Sequence, residues 1–460
     1  MVVGPICPKG PRIVASDMVE GIGDTFHHVE HCVFTVLLPV LAERRAALEA
    51  TLRQEPGHSP FGLATVETLH FASMTIHDDE RTGPKLIVEL NGEGRAETLL
   101  ALLTARCRPM LHPVLVHCAG WEGSAIDDAS AVAFLRARVQ WPSARHVGNT
   151  GRSVARIRDE EALHQRLAAT MDERQAQGTV FGSAADVRRV LSASADPHGS
   201  IRPPAGRLTH ADWARRLLPP AAGVAVVPAV FVGLGIGVGW LSAVAIVVAV
   251  AVAVVVLIGA AAVVLRYKER RDPVATARPS GEQLHRVETF EDRGGVQNHL
   301  SSVVAVKGGP FRRTLLRIVL AAINLLARLV YTKGHLGKLT SIHFAHWSVI
   351  DGGRNLLFLS NFDGSWESYL DDFIEKAHSG LTAVWSNGAG FARTQWLIRD
   401  GATDGDAFKA WARISQLPSL VWYQAYPSLS IRRIDESSLL AERLHATLDP
   451  EQEQEWTRAL

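Results

Sequence analysis

Hydrophobic and polar positions divide this chain into unlike stretches. Between Arg216 and Arg266 every residue from Leu217 to Leu265 is uncharged, and nearly all are Ala, Val, Leu, Ile or Gly. One membrane span takes about 20 apolar residues, so this stretch predicts a hairpin of two transmembrane helices. Gly233, Gly235, Gly237 and Gly239 mark its turn, and Trp240 suits the far interface. A re-entrant hairpin that only dips into the bilayer is the alternative. Elsewhere the apolar runs are short. Val33 to Val40 reads as a strand and Ala42 to Gln54 as a helix. Residues 69–77 and 86–91 read as two strands joined by a polar turn. Leucines at helical spacing follow over 95–107, and Pro113 to Cys118 reads as a further strand.

The same pattern recurs beyond the apolar stretch. LHFASMTIHDDE (Leu69 to Glu80) and LIVELNGEG (Leu86 to Gly94) lie over IHFAHWSVIDGG (Ile342 to Gly353) and LLFLSNFDG (Leu356 to Gly364). His70 falls on His343, Asn91 on Asn361 and Glu93 on Asp363, and SVARIRDEEALHQRL from Ser153 falls on SIRRIDESSLLAERL from Ser430. Residues 25–172 and 289–449 therefore read as two copies of one unit. The predicted organisation is an extension over 1–24, copy one over 25–172, a linker over 173–216, the hairpin over 217–266, a linker over 267–288 and copy two over 289–460. The order in each copy is βαββαβ, which is the ferredoxin-like split, followed by a helix near 127–138 and 404–415. Two such copies can cover each other's apolar sheet faces as an intramolecular pseudo-dimer.

This tandem order resembles the dimeric α/β-barrel superfamily, which includes dye-decolourising peroxidases, chlorite dismutase-like haem proteins and cofactor-free small monooxygenases. The resemblance implies an α+β pseudo-dimeric barrel. The Gly-x-x-Asp-Gly motif of the peroxidases, whose Asp faces the haem, is nearest here to Ser360-Asn361-Phe362-Asp363-Gly364, with Ser360 in place of the first glycine. The resemblance further implies a haem-dependent, peroxidase-like oxidoreductase with His343 as axial ligand to the iron.

Charge and composition narrow the classes. With 48 Lys+Arg against 47 Asp+Glu, no basic stripe marks a nucleic-acid partner. Four cysteines, none in a CxxC arrangement, argue against a disulfide framework, a zinc cluster or c-type haem. Basic residues flank the apolar stretch on both sides, which predicts a multi-pass inner-membrane protein with both soluble halves in the cytoplasm. The first residues show no export signal. The helix expected over Pro310 to Lys338 is apolar yet carries Arg312, Arg313, Arg317 and Arg328. It reads equally as a buried domain helix or as one lying on the cytoplasmic leaflet. The bilayer is thus one expected partner, and a lipophilic small molecule is another.

The candidate chemistry concentrates in copy two. Strand alternation sends His343, Ala345 and Trp347 to one face and Phe344 and His346 to the other, so the two histidines do not share a site through the strand alone. His343 is the candidate ligand or acid/base and Asp363 its polar partner, with His346, Asn361, Trp385 and His299 lining a cofactor pocket. The competing readings are structural: His343 and His70 bonding the fold internally, and Asp363 capping the helix that begins near Ser365. At the level of function, the alternative to an oxidoreductase is a non-catalytic, membrane-bound ligand-binding or scaffold protein.

Overall fold

The computed structural model describes residues 29–54, 60–122, 128–204, 210–275, 278–291, 295–330, 334 and 339–460. The extension expected over 1–24 lies outside the described residues. The first repeat runs β1 (His31–Pro39), α1 (Arg45–Arg53), β2 (Leu69–Asp79), β3 (Gly83–Glu93), α2 (Ala96–Leu115), α3 (Asp128–Arg136), β4 (Val139–Gln140), β5 (Ala144–Val147) and α4 (Val154–Ala176). Then come α5 (Ala184–Ala195), α6 (His210–Val238), α7 (Trp240–Glu269) and α8 (Gly281–Glu288). The second repeat follows as β6 (Gln297–Ala305), α9 (Pro310–Leu329), β7 (Ile342–Ile350), β8 (Asn355–Asp363), α10 (Trp366–Trp385), the small hairpin β9 (Thr394–Gln395) and β10 (Arg399–Asp400), α11 (Gly405–Ser415), β11 (Gln416–Leu417), β12 (Val421–Gln424), α12 (Ile431–Arg443) and α13 (Pro450–Ala459).

The strands form two open five-stranded antiparallel sheets, ordered β12-β2-β3-β1-β4 and β11-β6-β8-β7-β5. This overturns the expected closed pseudo-dimeric barrel of ferredoxin-like copies, because each sheet ends on short strands and, among the described residues, no strand ladder joins one sheet to the other. It also removes the barrel relationship on which the peroxidase resemblance stood. The repeats are interlocked by exchange instead. Strand β5 of the first repeat pairs with β7 of the second, Ala144 opposite Trp347, while β12 of the second pairs with β2 of the first, Val421 opposite Met74.

Strict alternation along β1, β2 and β3 sends Val36, Leu38, Met74, Ile76, Val88 and Leu90 outward against α2 and its neighbours. Ala345, Trp347, Leu356 and Phe358 pack in the same way with residues of α9, α10 and α11. The inner faces meet through Ile87, Ile350, Leu357 and Leu359, so helices cover the two outer faces of a two-sheet sandwich. Ser153, Ser365 and Ser430 cap α4, α10 and α12 by accepting the backbone N–H three residues on. Each cap contributes about 1 kcal/mol.

The strand expected over Pro113 to Cys118 is instead the last residues of α2, which ends at Leu115 with Pro109 and Pro113 inside it, followed by a turn and a single bridge from Cys118 to Val40. The paired-helix membrane hairpin is also corrected. Among the described residues one helix, Trp240–Glu269, is long and apolar enough to cross a membrane, and the apolar part of α6, Pro228–Val238, is too short. With one such helix, the even number of passes and the assignment of both halves to one side by flanking charge no longer hold. Helix α9 buries Leu316 and Leu320 yet leaves Ile318, Leu325 and Leu326 exposed.

Candidate functional site

Three groups of histidines and carboxylates lie between the sheets, and two of them are pseudo-symmetric twins. Both β2 and β7 carry a register shift at the same repeat position, between Leu69 and Phe71 and between Ile342 and Phe344. A bulge re-aims the side chain it carries, here His70 and His343. His343 Nε2 lies 2.7 Å from Asp363 Oδ1, and His70 Nε2 lies 3.5 Å from Glu93 Oε1. Each carboxylate also accepts the first backbone N–H of a helix of its own repeat, Glu93 from Val154 of α4 at 2.7 Å and Asp363 from Ile431 of α12 at 2.8 Å. Asp363 therefore serves α12, while Ser365 caps α10, in place of the expected Asp363 cap.

Asn149 and Tyr426, at equivalent positions of the two repeats, join the twins. Asn149 Nδ2 donates to Tyr426 Oη at 2.6 Å and lies 3.3 Å from His343 Nδ1, and Tyr426 Oη is 2.8 Å from His70 Nδ1. The result is one chain of hydrogen bonds, Asp363–His343–Asn149–Tyr426–His70, with Glu93 in contact 3.5 Å beyond His70 Nε2. Burial pushes the His70 imidazole well below its usual range and the Tyr426 phenol well above. Burial also raises the Glu93 carboxyl to about 7 against the opposing Val154 N–H bond.

The third group has no twin. Glu89, fully buried on β3, accepts from Ser73 Oγ at 2.9 Å, Asn91 Nδ2 at 2.8 Å, Asn361 Nδ2 at 3.1 Å and His299 Nε2 at 2.8 Å. His346 Nδ1 stands 3.9 Å from Glu89 Oε1 without a hydrogen-bond partner, while its Nε2 is 2.9 Å from Thr35 Oγ1. Ser419 Oγ holds His299 Nδ1 at 2.6 Å, and Trp422 Nε1 donates to Asn361 Oδ1 at 2.9 Å. Burial alone would raise the Glu89 carboxyl. The charge and hydrogen bond of His299, with His346 and Asn91, outweigh it and hold Glu89 at about 2. Burial lowers His346 to about 4, with the Glu89 charge opposing.

In the repeat alignment Glu89 corresponds to Leu359 and His346 to Ser73. His299 corresponds to Val33, since His31 opposes Glu93 as Gln297 opposes Asp363. The counterpart positions in the other repeat thus carry Leu, Ser and Val, and Ser73 itself donates to Glu89. Burying a carboxylate and two imidazoles costs desolvation that the twin does not incur, so the centre is an addition to the fold and not a requirement of it.

Of the expected site residues, the structure brings His299, His346 and Asn361 together around Glu89. His343 and Asp363 form their own pair. Trp385 lies on the other side of its sheet, edge-on to Phe358 and Trp411. Haem does not fit His343, because Nε2 faces Asp363 and Nδ1 faces Asn149, leaving no ring nitrogen for iron. Glu89 escaped the sequence reading, although a charged residue opposite Leu359 in the alignment was the available signal.

A further cluster sits at the far ends of β2 and β7. His77, Asp79 and Asp351 present ligand atoms within 4.8 Å of one another, a spacing that could hold a cation. Asn355 Nδ2 bridges Asp79 and Asp351 at 2.8 Å each, and Lys85 pairs with Asp351. The lysine already supplies a positive charge there.

Helix α7 presents a different kind of surface. Its buried residues are Ala243, Leu265 and Glu269, two of them at its C-terminal end. There Glu269 accepts from Thr394 Oγ1 at 3.0 Å, Trp396 N at 3.0 Å and Leu397 N at 2.7 Å, and Arg266 Nη1 donates to Glu269 at 3.0 Å. The rest of the helix exposes valines and leucines, Leu241, Val255, Leu257 and Val263 among them. No family model matches the chain, and neither a curated protein nor a solved structure matches it significantly.

Proposed function

We propose that the protein is a lipid-attached body: α7 lies in a bilayer and the two-repeat sandwich is fixed to its C-terminal end. The observation that carries this reading is the outward apolar surface of α7, a 30-residue helix whose side chains are almost all exposed. At 1.5 Å per residue such a helix is about 45 Å long, against a hydrocarbon layer of about 30 Å. A core helix of a water-soluble protein would bury this surface, and α7 does not. Glu269 is the rigid joint, because its carboxylate takes up the free N–H groups of the turn at Trp396 and Leu397, both of which adopt positive φ. Trp396 and Ile398, exposed beside that joint, suit the headgroup level.

The reading is tested by flotation of the full chain with phosphatidylcholine vesicles after alkaline wash. The unaltered chain is expected to float. A Val248→Lys/Val252→Lys/Val256→Lys variant places three charges on one face of α7, each costing about 3 kcal/mol near the centre of a bilayer, and is expected to remain at the bottom of the gradient. Recovery of the unaltered chain in the aqueous fraction, or equal flotation of the variant, would overturn the proposal.

A further inference from the structure

Helix α9 has two unlike sides. Leu316, Val319 and Leu320 are buried in the core on the outer face of the second sheet. The opposite arc carries Ile318, Ala321, Ala322, Leu325 and Leu326, all exposed, and exposed Arg313 and Arg317 border it on one edge. Spacings of three and four residues keep these positions on one side of the helix. Among the described residues neither arginine has an ion-pair partner. No Asp or Glu occurs in the sequence between Asp292 and Asp351.

The first turn of α9 is tied to the foot of α7. Asp272, three residues beyond Glu269, accepts from Lys307 Nζ at 2.8 Å and pairs with Arg312. Two buried cations thus share one carboxylate, and Arg312 Nε and Nη1 stay buried without a partner. Gly309 precedes α9 and supplies no side-chain cap, so the positive end of the helix dipole adds to the excess. Farther along, α9 touches α6, which itself runs beside α7. The exposed arc is therefore apolar, basic at one edge and set at the end of the body from which α7 departs. A helix lying in the plane of a membrane surface has this make-up.

Resting on the reading of α7 as a bilayer helix, we propose that α9 makes a second lipid contact, on an anionic phospholipid leaflet at the C-terminal end of α7. Ile318, Leu325 and Leu326 enter the boundary of the acyl chains, while Arg313 and Arg317 meet the charged headgroups. Each arginine near such a surface strengthens binding about fivefold. A second copy of the chain packed on the same arc would bring no carboxylate to the arginines, because α9 holds none.

The test uses the full chain on a Cys7→Ser background with a nitroxide at Leu325→Cys, in vesicles of phosphatidylcholine alone or of phosphatidylcholine and phosphatidylserine in equal parts. A label at Leu257→Cys reports α7 separately. At Leu325 the ratio of relaxation by oxygen to relaxation by a neutral nickel chelate should rise roughly twofold or more when phosphatidylserine is present. Arg313→Gln/Arg317→Gln should abolish that rise, and Arg313→Lys/Arg317→Lys should keep most of it. Chelate relaxation at Leu325 with Leu257 shielded overturns the α9 contact and leaves the reading of α7 standing; chelate relaxation at both overturns both. Shielding of Leu325 from both reagents means that protein covers the arc, and equal ratios with and without phosphatidylserine mean that charge plays no part. Either result overturns the proposal.

Discussion

Replacing Glu89 by Leu separates the cost of breaking the inter-sheet centre from the cost of removing it. The single variant takes away the acceptor of four buried donors, on Ser73, Asn91, Asn361 and His299. Breaking a buried ion pair from one side costs about 3–5 kcal/mol, because the remaining charge is stranded. Glu89→Leu/His299→Val/His346→Ser gives these positions the uncharged residue types of their counterparts in the other repeat, Leu359, Val33 and Ser73. Removing a whole buried ionic group in exchange for apolar residues is often neutral, although the smaller Val and Ser side chains leave some empty space. The triple variant is therefore expected to lose less than half of what the single variant loses, a coupling of about 2 kcal/mol or more, within the range for residues in contact. The assay is thermal unfolding of the full chain in detergent, followed by near-ultraviolet circular dichroism. On the usual scaling of about 2–4 °C per kcal/mol, the single variant should melt on the order of 10 °C lower and the triple variant between it and the unaltered chain. Additive losses, with the triple variant the least stable, would refute the view that the centre is an addition to the fold.

Further expectations concern the chain of bonds at the strand exchange and the foot of α7. Glu93, held at about 7 by burial, binds a proton more tightly folded than unfolded, so its contribution is full below pH 4.5 and is lost as pH rises from there through 7. Glu93→Gln keeps the acceptor for Val154 N–H and should raise stability at pH 8 by roughly 1–3 kcal/mol while changing little at pH 4, as read from urea midpoints; a loss at pH 8 would contradict this. Tyr426→Phe leaves Asn149 Nδ2 and His70 Nδ1 without their shared hydroxyl partner and should cost about 1–3 kcal/mol in the same assay. Glu269→Ala unpairs Thr394, Trp396 and Leu397 and should speed proteolysis near 394–400 while flotation with vesicles persists. Loss of flotation with Glu269→Ala would place membrane attachment at the joint and not along α7.

The correspondence between the two halves is read from long strands such as β2 and β7, which keep enough alternating positions to align. The strand exchange was not legible, since β5 and β12 are four residues each and only their partners reveal which repeat they serve. PVLVHC from Pro113 reads as a strand by β-branching, yet it closes α2 because its apolar side chains continue the buried stripe of Leu99, Leu103, Cys107 and Leu111. The expected membrane hairpin looked uniform as an uncharged stretch, yet among the described residues only its second half, α7, forms a helix long and apolar enough to span. Alternation put His343 and His346 on opposite faces of their strand, but the register shift beside His343 that re-aims it is invisible in composition. Glu89 looked like one polar residue in an apolar strand, and its importance emerges only from what the second repeat has in its place.

The most direct measurement of α7's environment is the accessibility of a nitroxide at Leu257, which is exposed midway along its apolar surface. The label is attached through Leu257→Cys on a Cys7→Ser background, leaving the buried Cys32, Cys107 and Cys118 in place, and the chain is reconstituted into phosphatidylcholine vesicles. Lipid attachment through α7 requires relaxation of the label by oxygen and shielding from a water-soluble nickel chelate. Relaxation by the chelate, or shielding from both reagents as in a protein core, would contradict it.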